Sequence, residues 1–225
     1  MSIAVDGDPI NIDNQFQEEL LIRVTHCVDK FNPKAAWIQT YSGKRFTPTE
    51  PVTSNILIQD IAHSLSMQCR FTGHVNGPHP YTVAQHSVLV SYLCDAADAL
   101  EGLLHDATEA YLVDIPAPLK RSGLFQAYID FETLMAKAID ERFGLKPEPD
   151  SVKLADKRIL ACEARDFMCP IRDDWDYPYE PIPFYIKPVG PAEAKHMFLK
   201  RFYELAKTPN SISFSDWMQL IEKVI

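Results

Sequence analysis

DALEGLLHDATEAYLVDIPAPLK, running from Asp98 to Lys120, decides how this chain is read. Asp98 to about Val113 reads as one helix. It is closed by Asp114-Ile115-Pro116-Ala117-Pro118, where two prolines forbid continuation. Inside it, His105-Asp106 sits between Leu103-Leu104 and Ala107. An ionisable pair flanked by apolar positions needs partners once it is buried. A divalent ion is one such partner: imidazole nitrogen with carboxylate oxygen suits Mn, Fe, Co, Ni or Zn.

Two ligands do not complete a site, so the search moves outward. His86 lies on a helix that opens at Thr82 and runs to about Leu93. Thr82 and Gln85 have the spacing of a capping box. Asp156 lies on a helix from Ser151 to Met168, stopped by Pro170. His86, His105-Asp106 and Asp156 would thus come from three helices and leave coordination positions open. Glu109 stands i+4 from His105 and i+3 from Asp106, on one helix face. A carboxyl group there can carry general acid/base work.

The rest of the chain reads as mainly α. Residues 1–13 are expected to be a loose tail. Phe16, Leu20, Val24, Cys27 and Val28 give a helix over 15–30. Trp37–Tyr41 and Arg45–Thr47, around Ser42-Gly43-Lys44, predict a small β-hairpin. Thr53 to Cys69 carries an apolar face of Ile58, Ile61, Ala62, Leu65 and Cys69. A Gly/Pro loop follows from Thr72 to Pro80, where His74 and His79 are candidates to line a pocket. A long helix is predicted from Ser122 to Phe143, with Gly144 as its C′ residue. Residues 170–191 form a proline-rich, aromatic loop, a composition that suits lids and interfaces. Helices near 191–206 and 213–224 finish the chain. The expected organisation is a single domain, 1–225, with a motif-bearing core at 14–169 and appended C-terminal helices at 170–225.

Composition excludes several function classes. The chain has 225 residues and a formal net charge of −9. That charge argues against a duplex nucleic-acid binder, which would show a basic patch. No apolar run approaches a membrane span, and no basic segment precedes an apolar core at the N-terminus. The five cysteines form no CxxC pair and are odd in number, which fits a reduced compartment and not a cysteine-built zinc site. The expected location is the cytoplasm, or the host cytoplasm for a phage enzyme. Walker, GxGxxG and GxSxG motifs are absent, so ATP-driven transfer, dinucleotide chemistry and serine hydrolysis have no support.

The joint pattern resembles the HD-domain phosphohydrolases, in which a His, a His-Asp pair and a distant Asp hold a divalent ion. His86, His105, Asp106 and Asp156 are the matching residues. The run His105-Asp106-Ala107-Thr108-Glu109-Ala110, then Asp114-Ile115-Pro116 and Pro118-Leu119-Lys120, is similar to the bacterial deoxyribonucleoside 5′-monophosphatases of this type. It is also similar to phage dATP triphosphohydrolases. Ile58–His63 and Cys69-Arg70-Phe71 extend the likeness, which covers roughly 37–165. The resemblance implies an HD-domain helical bundle holding Mn, Co, Mg, Ni or Zn. It implies Glu109 and Asp114 as catalytic carboxylates and a deoxynucleotide substrate. A homo-oligomer is also implied. Arg70 is the candidate phosphate clamp, with Lys120 and His79 as further substrate contacts. Phe71 stands where the monophosphatases carry a Trp against the sugar. No His occurs between 106 and 195, so the dinuclear variants of the superfamily are not expected.

Three readings follow. The first is a phosphohydrolase of purine deoxynucleotides, with dATP ahead of 5′-monophosphates. The second is a nucleotide-binding module without turnover; Glu109 and Asp114 argue against it, since a sensor needs neither. The third is a structural metal protein, disfavoured because closed structural zinc sites are built otherwise.

Overall fold

A computed structural model describes Ser2–Val5, Asp8–Asn11, and residues 36–169 and 178–206. The chain divides into two compact units, Met1–Trp37 and Ile38–Ile225. In the first, β1 (Ser2–Val5) pairs antiparallel with β2 (Asp8–Asn11), in register from Ser2 opposite Asn11 to Val5 opposite Asp8. The expected loose tail is therefore wrong over these eight positions. Asp6-Gly7 between two apolar-containing runs is a hairpin signal in its own right. The predicted helices over 15–30 and 213–224 fall outside the described residues.

The second unit is mainly helical, with one small hairpin at its start. β3 (Ile38–Gln39) and β4 (Arg45–Phe46) pair antiparallel, as the turn Ser42-Gly43-Lys44 predicts. Asp60 ties this turn to the next helix: its carboxylate accepts from the Ser42 amide (2.6 Å) and hydroxyl (2.9 Å). That helix, α1, spans Ile58–Met67 and is shorter than its apolar spacing predicts. Thr53–Asn55 forms a separate 3₁₀ turn, because Ile56 and Leu57 are extended.

α2 (Val83–Leu93) is the central helix. It packs against α1, α3 (Ala99–Leu104), α7 (Asp150–Phe167) and α8 (Pro191–Leu205). A helix covered on so many sides must satisfy its polar residues internally. Ser87 Oγ donates to the Val83 carbonyl and Ser91 Oγ to that of Val88. Half of the capping box forms: the Gln85 amide donates to Thr82 Oγ1 at 3.2 Å. Gln85's side chain turns elsewhere. It donates to the Lys187 carbonyl and accepts from the Val189 amide, pinning the segment before α8.

The His105-Asp106 helix is broken, contrary to the reading of one helix from Asp98 to Val113. α3 ends at Leu104, and α4 spans only Glu109–Leu112. Between them the amides of Ala107, Glu109 and Ala110 bond three residues back, the tighter 3₁₀ pattern. α5 (Ala117–Lys120) follows the prolines, and α6 spans Gln126–Phe143. Gly144 ends α6 in the left-handed conformation, φ +69°.

Two apolar clusters flank α2. One joins Phe46, Ile61, Leu65, Leu103, Met135 and Phe198; the other joins Tyr81, Val90, Ile159 and Phe167. Gly102 lets α3 approach α2: a Cβ there would meet Cys94 Sγ at 2.8 Å and Ser91 Cα at 3.2 Å. Among the described residues, no helix is long and apolar enough to cross a membrane. The described cysteines Cys69, Cys94, Cys162 and Cys169 form no disulfide.

Candidate metal centre

α2 carries His86 into the space between α3 and α7 with no surface exposed. The turn after α3 presents His105 and Asp106 to it. His86 Nε2 and His105 Nε2 are 3.3 Å apart. Asp106 Oδ2 is 3.3 Å from His105 Nε2 and 3.6 Å from His86 Nε2. The ligand atoms of His86, His105 and Asp106 all lie within 4.8 Å of one another, a group that could hold a metal ion. Asp156 reaches in from α7, its Oδ1 3.2 Å from His86 Nε2. Three of the four residues named from sequence, His86, His105 and Asp106, therefore form one group, and the fourth, Asp156, lies against His86 without joining that group.

The chemistry of this donor set fits a divalent ion. Two ligands each about 2.1 Å from a tetrahedral ion stand about 3.4 Å apart. Each imidazole also has its other nitrogen occupied. His86 Nδ1 is 2.6 Å from Glu163 Oε1, and His105 Nδ1 is 2.9 Å from the Gly102 carbonyl. Both partners are acceptors, so each Nδ1 carries the hydrogen and, in the neutral rings, each Nε2 turns a lone pair inward. Two lone pairs facing each other repel unless a cation or proton lies between them.

The electrostatics point the same way. Burial opposes charge on His105, yet Asp106 outweighs it and raises the imidazole to about 9. His86 is raised too: burial and Arg70 work against its charge, and Glu163 and Asp156 outweigh them. Asp106 is held far below the usual carboxylate range, since His105, His86 and Arg70 overcome its burial. Asp156 is lowered against its burial by the His86 hydrogen bond. The cluster is a place that favours added positive charge.

Arg70 stands behind the cluster in a 3₁₀ turn, Arg70–Gly73. Its Nε is 3.2 Å from Glu163 Oε2 and its Nη1 3.4 Å from Asp106 Oδ2. Arg70 also lines a cavity of about 920 Å³, as do Glu109 and Asp114. Phe71, Val113, Leu160 and Met168 supply apolar lining. Glu109 is buried there, and burial followed by Asp106 and Asp114 raises its carboxyl to about 9.

Backbone strain gathers on this cavity. Phe71 and Thr72 are left-handed, at φ 55° and 51°. Val113 adopts φ 64°, ψ 151°, a region for which a β-branched residue is poorly suited. Each costs about 1–3 kcal/mol and persists only where surrounding structure imposes it. Tyr128 helps to impose Val113 by donating its hydroxyl to the Val113 carbonyl.

The other substrate candidates separate. Lys120 is held by Glu132 at 2.7 Å and Asp114 at 3.2 Å, and does not line the cavity. Its neighbour Arg121 lines it instead, as does His74; His79 is exposed and is not among the lining residues. Glu163 was missed from sequence. Its signal was its place seven residues after Asp156, two turns along the same face, in the small apolar run Leu160-Ala161-Cys162-Glu163-Ala164.

No family model matches the chain. Over 177 residues it is 44% identical to the uncharacterized protein YfdR of Escherichia coli (strain K12), covering 76% of this chain and 97% of that protein. Over 140 residues it is 35% identical to an uncharacterized protein of Rhodobacter capsulatus, covering 59% of this chain and 71% of the relative. With its fold and the match along nearly all of YfdR in view, this chain belongs to the YfdR family.

Proposed function

We propose that the protein is a metal-dependent phosphohydrolase of the HD type, releasing phosphate from a small deoxynucleotide. One observation carries this reading: the paired Nε2 atoms of His86 and His105, with Asp106 and Asp156 against them, are joined through Arg70, 3.4 Å from Asp106, to a cavity of nucleotide size that Arg70 and Glu109 line. Cavities of roughly 300–1,000 Å³ suit ligands of this class. A divalent ion bound by the four residues supplies Lewis acidity and a water of lowered pKa.

The remaining roles belong to the chain itself. Glu109, whose carboxyl burial and the neighbouring Asp106 and Asp114 push upward, lines the cavity and can give a proton to the departing ester oxygen. Asp114 helps to keep it protonated. Among the described residues Arg121 has no carboxylate partner, and it meets the phosphate charge, whereas Arg70 and Lys120 are engaged by carboxylates. Phe71 offers its ring to the sugar from the cavity wall.

The lining charges bear on the number of phosphates. Among the described residues, the cavity's arginines are Arg70 and Arg121, and Asp114 opposes them. A monophosphate dianion suits that balance better than a triphosphate, which brings about two more negative charges. A deoxynucleoside 5′-monophosphate is therefore the favoured substrate, and dATP, implied by the resemblance of the His105–Lys120 run, comes second.

The test is product chromatography after incubation with Mn²⁺, Co²⁺ or Mg²⁺ and a panel of ribo- and deoxynucleoside mono-, di- and triphosphates. Chelator-sensitive release of a free deoxynucleoside from monophosphates is expected. Release of triphosphate from dATP would reverse the order of substrates. Absence of turnover on the whole panel by metal-loaded protein would leave a binding module.

A further inference from the structure

Glu163 is fully buried and uses both carboxylate oxygens. Oε1 is 2.6 Å from His86 Nδ1, and Oε2 is 3.2 Å from Arg70 Nε. Arg70 Nη1 then lies 3.4 Å from Asp106 Oδ2. The chain His86–Glu163–Arg70–Asp106 runs from one cluster residue to another through α2, α7, the Arg70–Gly73 turn and the turn after α3. These elements are far apart in sequence. We infer that Glu163 and Arg70 are positioning residues for the metal centre, and that Arg70 serves this centre instead of clamping a substrate phosphate. The inference rests on reading the cluster as a metal centre.

Each contact has a consequence. A carboxylate at His86 Nδ1 holds the ring in the tautomer whose Nε2 is free for a cation, and strengthens that nitrogen as a donor. His105 gets the same tautomer from a neutral carbonyl, Gly102, so His86 is the stronger of the two donors. Arg70 offsets the charge of Glu163 and orients Asp106. Its Nε and Nη1 are already committed to buried or half-buried carboxylates. Taking Arg70 for a phosphate would leave the buried Glu163 with its His86 hydrogen bond but with no guanidinium beside Oε2, a costly state.

The two roles for Arg70 predict different measurements. The metal-free full-length protein is titrated with Co²⁺ by calorimetry, and the d–d absorption of the bound ion is recorded. Glu163→Gln, which keeps the side-chain shape, is expected to lower Co²⁺ affinity about 10- to 100-fold and to change the absorption spectrum. Arg70→Gln is expected to do the same, and the double variant to lose less than the two single losses combined, since both act through one chain. Circular dichroism checks folding; if Glu163→Gln fails to fold, the partly exposed Arg70 position carries the test. A folded Arg70→Gln or Glu163→Gln protein with unchanged Co²⁺ affinity and spectrum overturns the inference. So does an Arg70→Gln protein that only raises KM for nucleotide. Wild-type protein that binds no divalent ion at all overturns the metal reading itself, a separate failure.

Discussion

His86 Nε2 faces His105 Nε2 across 3.3 Å, while the Nδ1 atom of each ring is bound to an acceptor. This one relationship makes both rings donors toward a single point. A cation at that point binds N and not U, so it must stabilise the fold. At an ion concentration of about 100 Kd the gain is about 2.7 kcal/mol. For a chain of this size that raises Tm by roughly 5–10 °C. Differential scanning fluorimetry with and without Mn²⁺ or Co²⁺ reads it. His105→Ala should lose the shift; an equal shift in that variant would place the ion elsewhere.

Proton and metal compete for the same nitrogens. His105 is raised to about 9 in the metal-free fold, above its ordinary 6.5. A raised imidazole contributes stability that is fully present below about 6.5 and is lost as pH climbs through 9. The metal-free protein should therefore lose Tm from this group between pH 6.5 and 9. Ion affinity should climb over the same window, by about tenfold per pH unit for each proton displaced. A Co²⁺ affinity flat across that window would contradict the shared site.

Glu109→Gln removes the proposed carboxyl proton donor and leaves His86, His105, Asp106 and Asp156 in place. Turnover is expected to fall about 10²- to 10⁴-fold, with Co²⁺ affinity and Tm little changed. Single-turnover assays beside a metal titration separate the two effects. Retained turnover would remove Glu109 from proton transfer.

Arg121→Ala tests the cavity's anion contact. A charged hydrogen bond lost there costs about 1.5–3 kcal/mol, or roughly 10- to 100-fold in kcat/KM. Lys120→Ala should act mainly on stability, because Lys120 is paired with Glu132 and Asp114. Comparable losses of kcat/KM in both variants, with equal Tm, would contradict that division.

Gly102→Ala tests how α3 is seated. The added Cβ would meet Cys94 Sγ at 2.8 Å and backbone of α2 at 3.2 Å. Overpacking of this kind costs about 1–3 kcal/mol. The Gly102 carbonyl also holds His105 Nδ1, so Co²⁺ affinity should fall together with Tm. A drop in Tm alone would mean that α3 shifts without carrying His105.

Much of this protein was legible in its sequence because local physics governs those parts. Apolar spacing, prolines and Gly144 marked α2, α6, α7 and α8 to within a few residues, and the Ser42-Gly43-Lys44 turn marked β3 and β4. Metal chemistry narrowed His86, His105, Asp106 and Asp156 to one expected group, since only their combined donors suit a shared ion. Local pattern could not foresee that the His105 helix breaks, because the break depends on a ring bonding to the Gly102 carbonyl and on close approach to α2. Nor could spacing reveal how cations are committed. Arg70, Lys120 and Arg121 look alike along a chain, and only tertiary packing sets Arg70 against Glu163 and Asp106, Lys120 against Glu132, and Arg121 at the cavity wall. Periodicity reports which face a residue occupies. Which partner it meets there depends on contacts between segments far apart along the chain, 93 positions for Arg70 and Glu163 and 104 for Gln85 and Val189, and only the folded chain makes them.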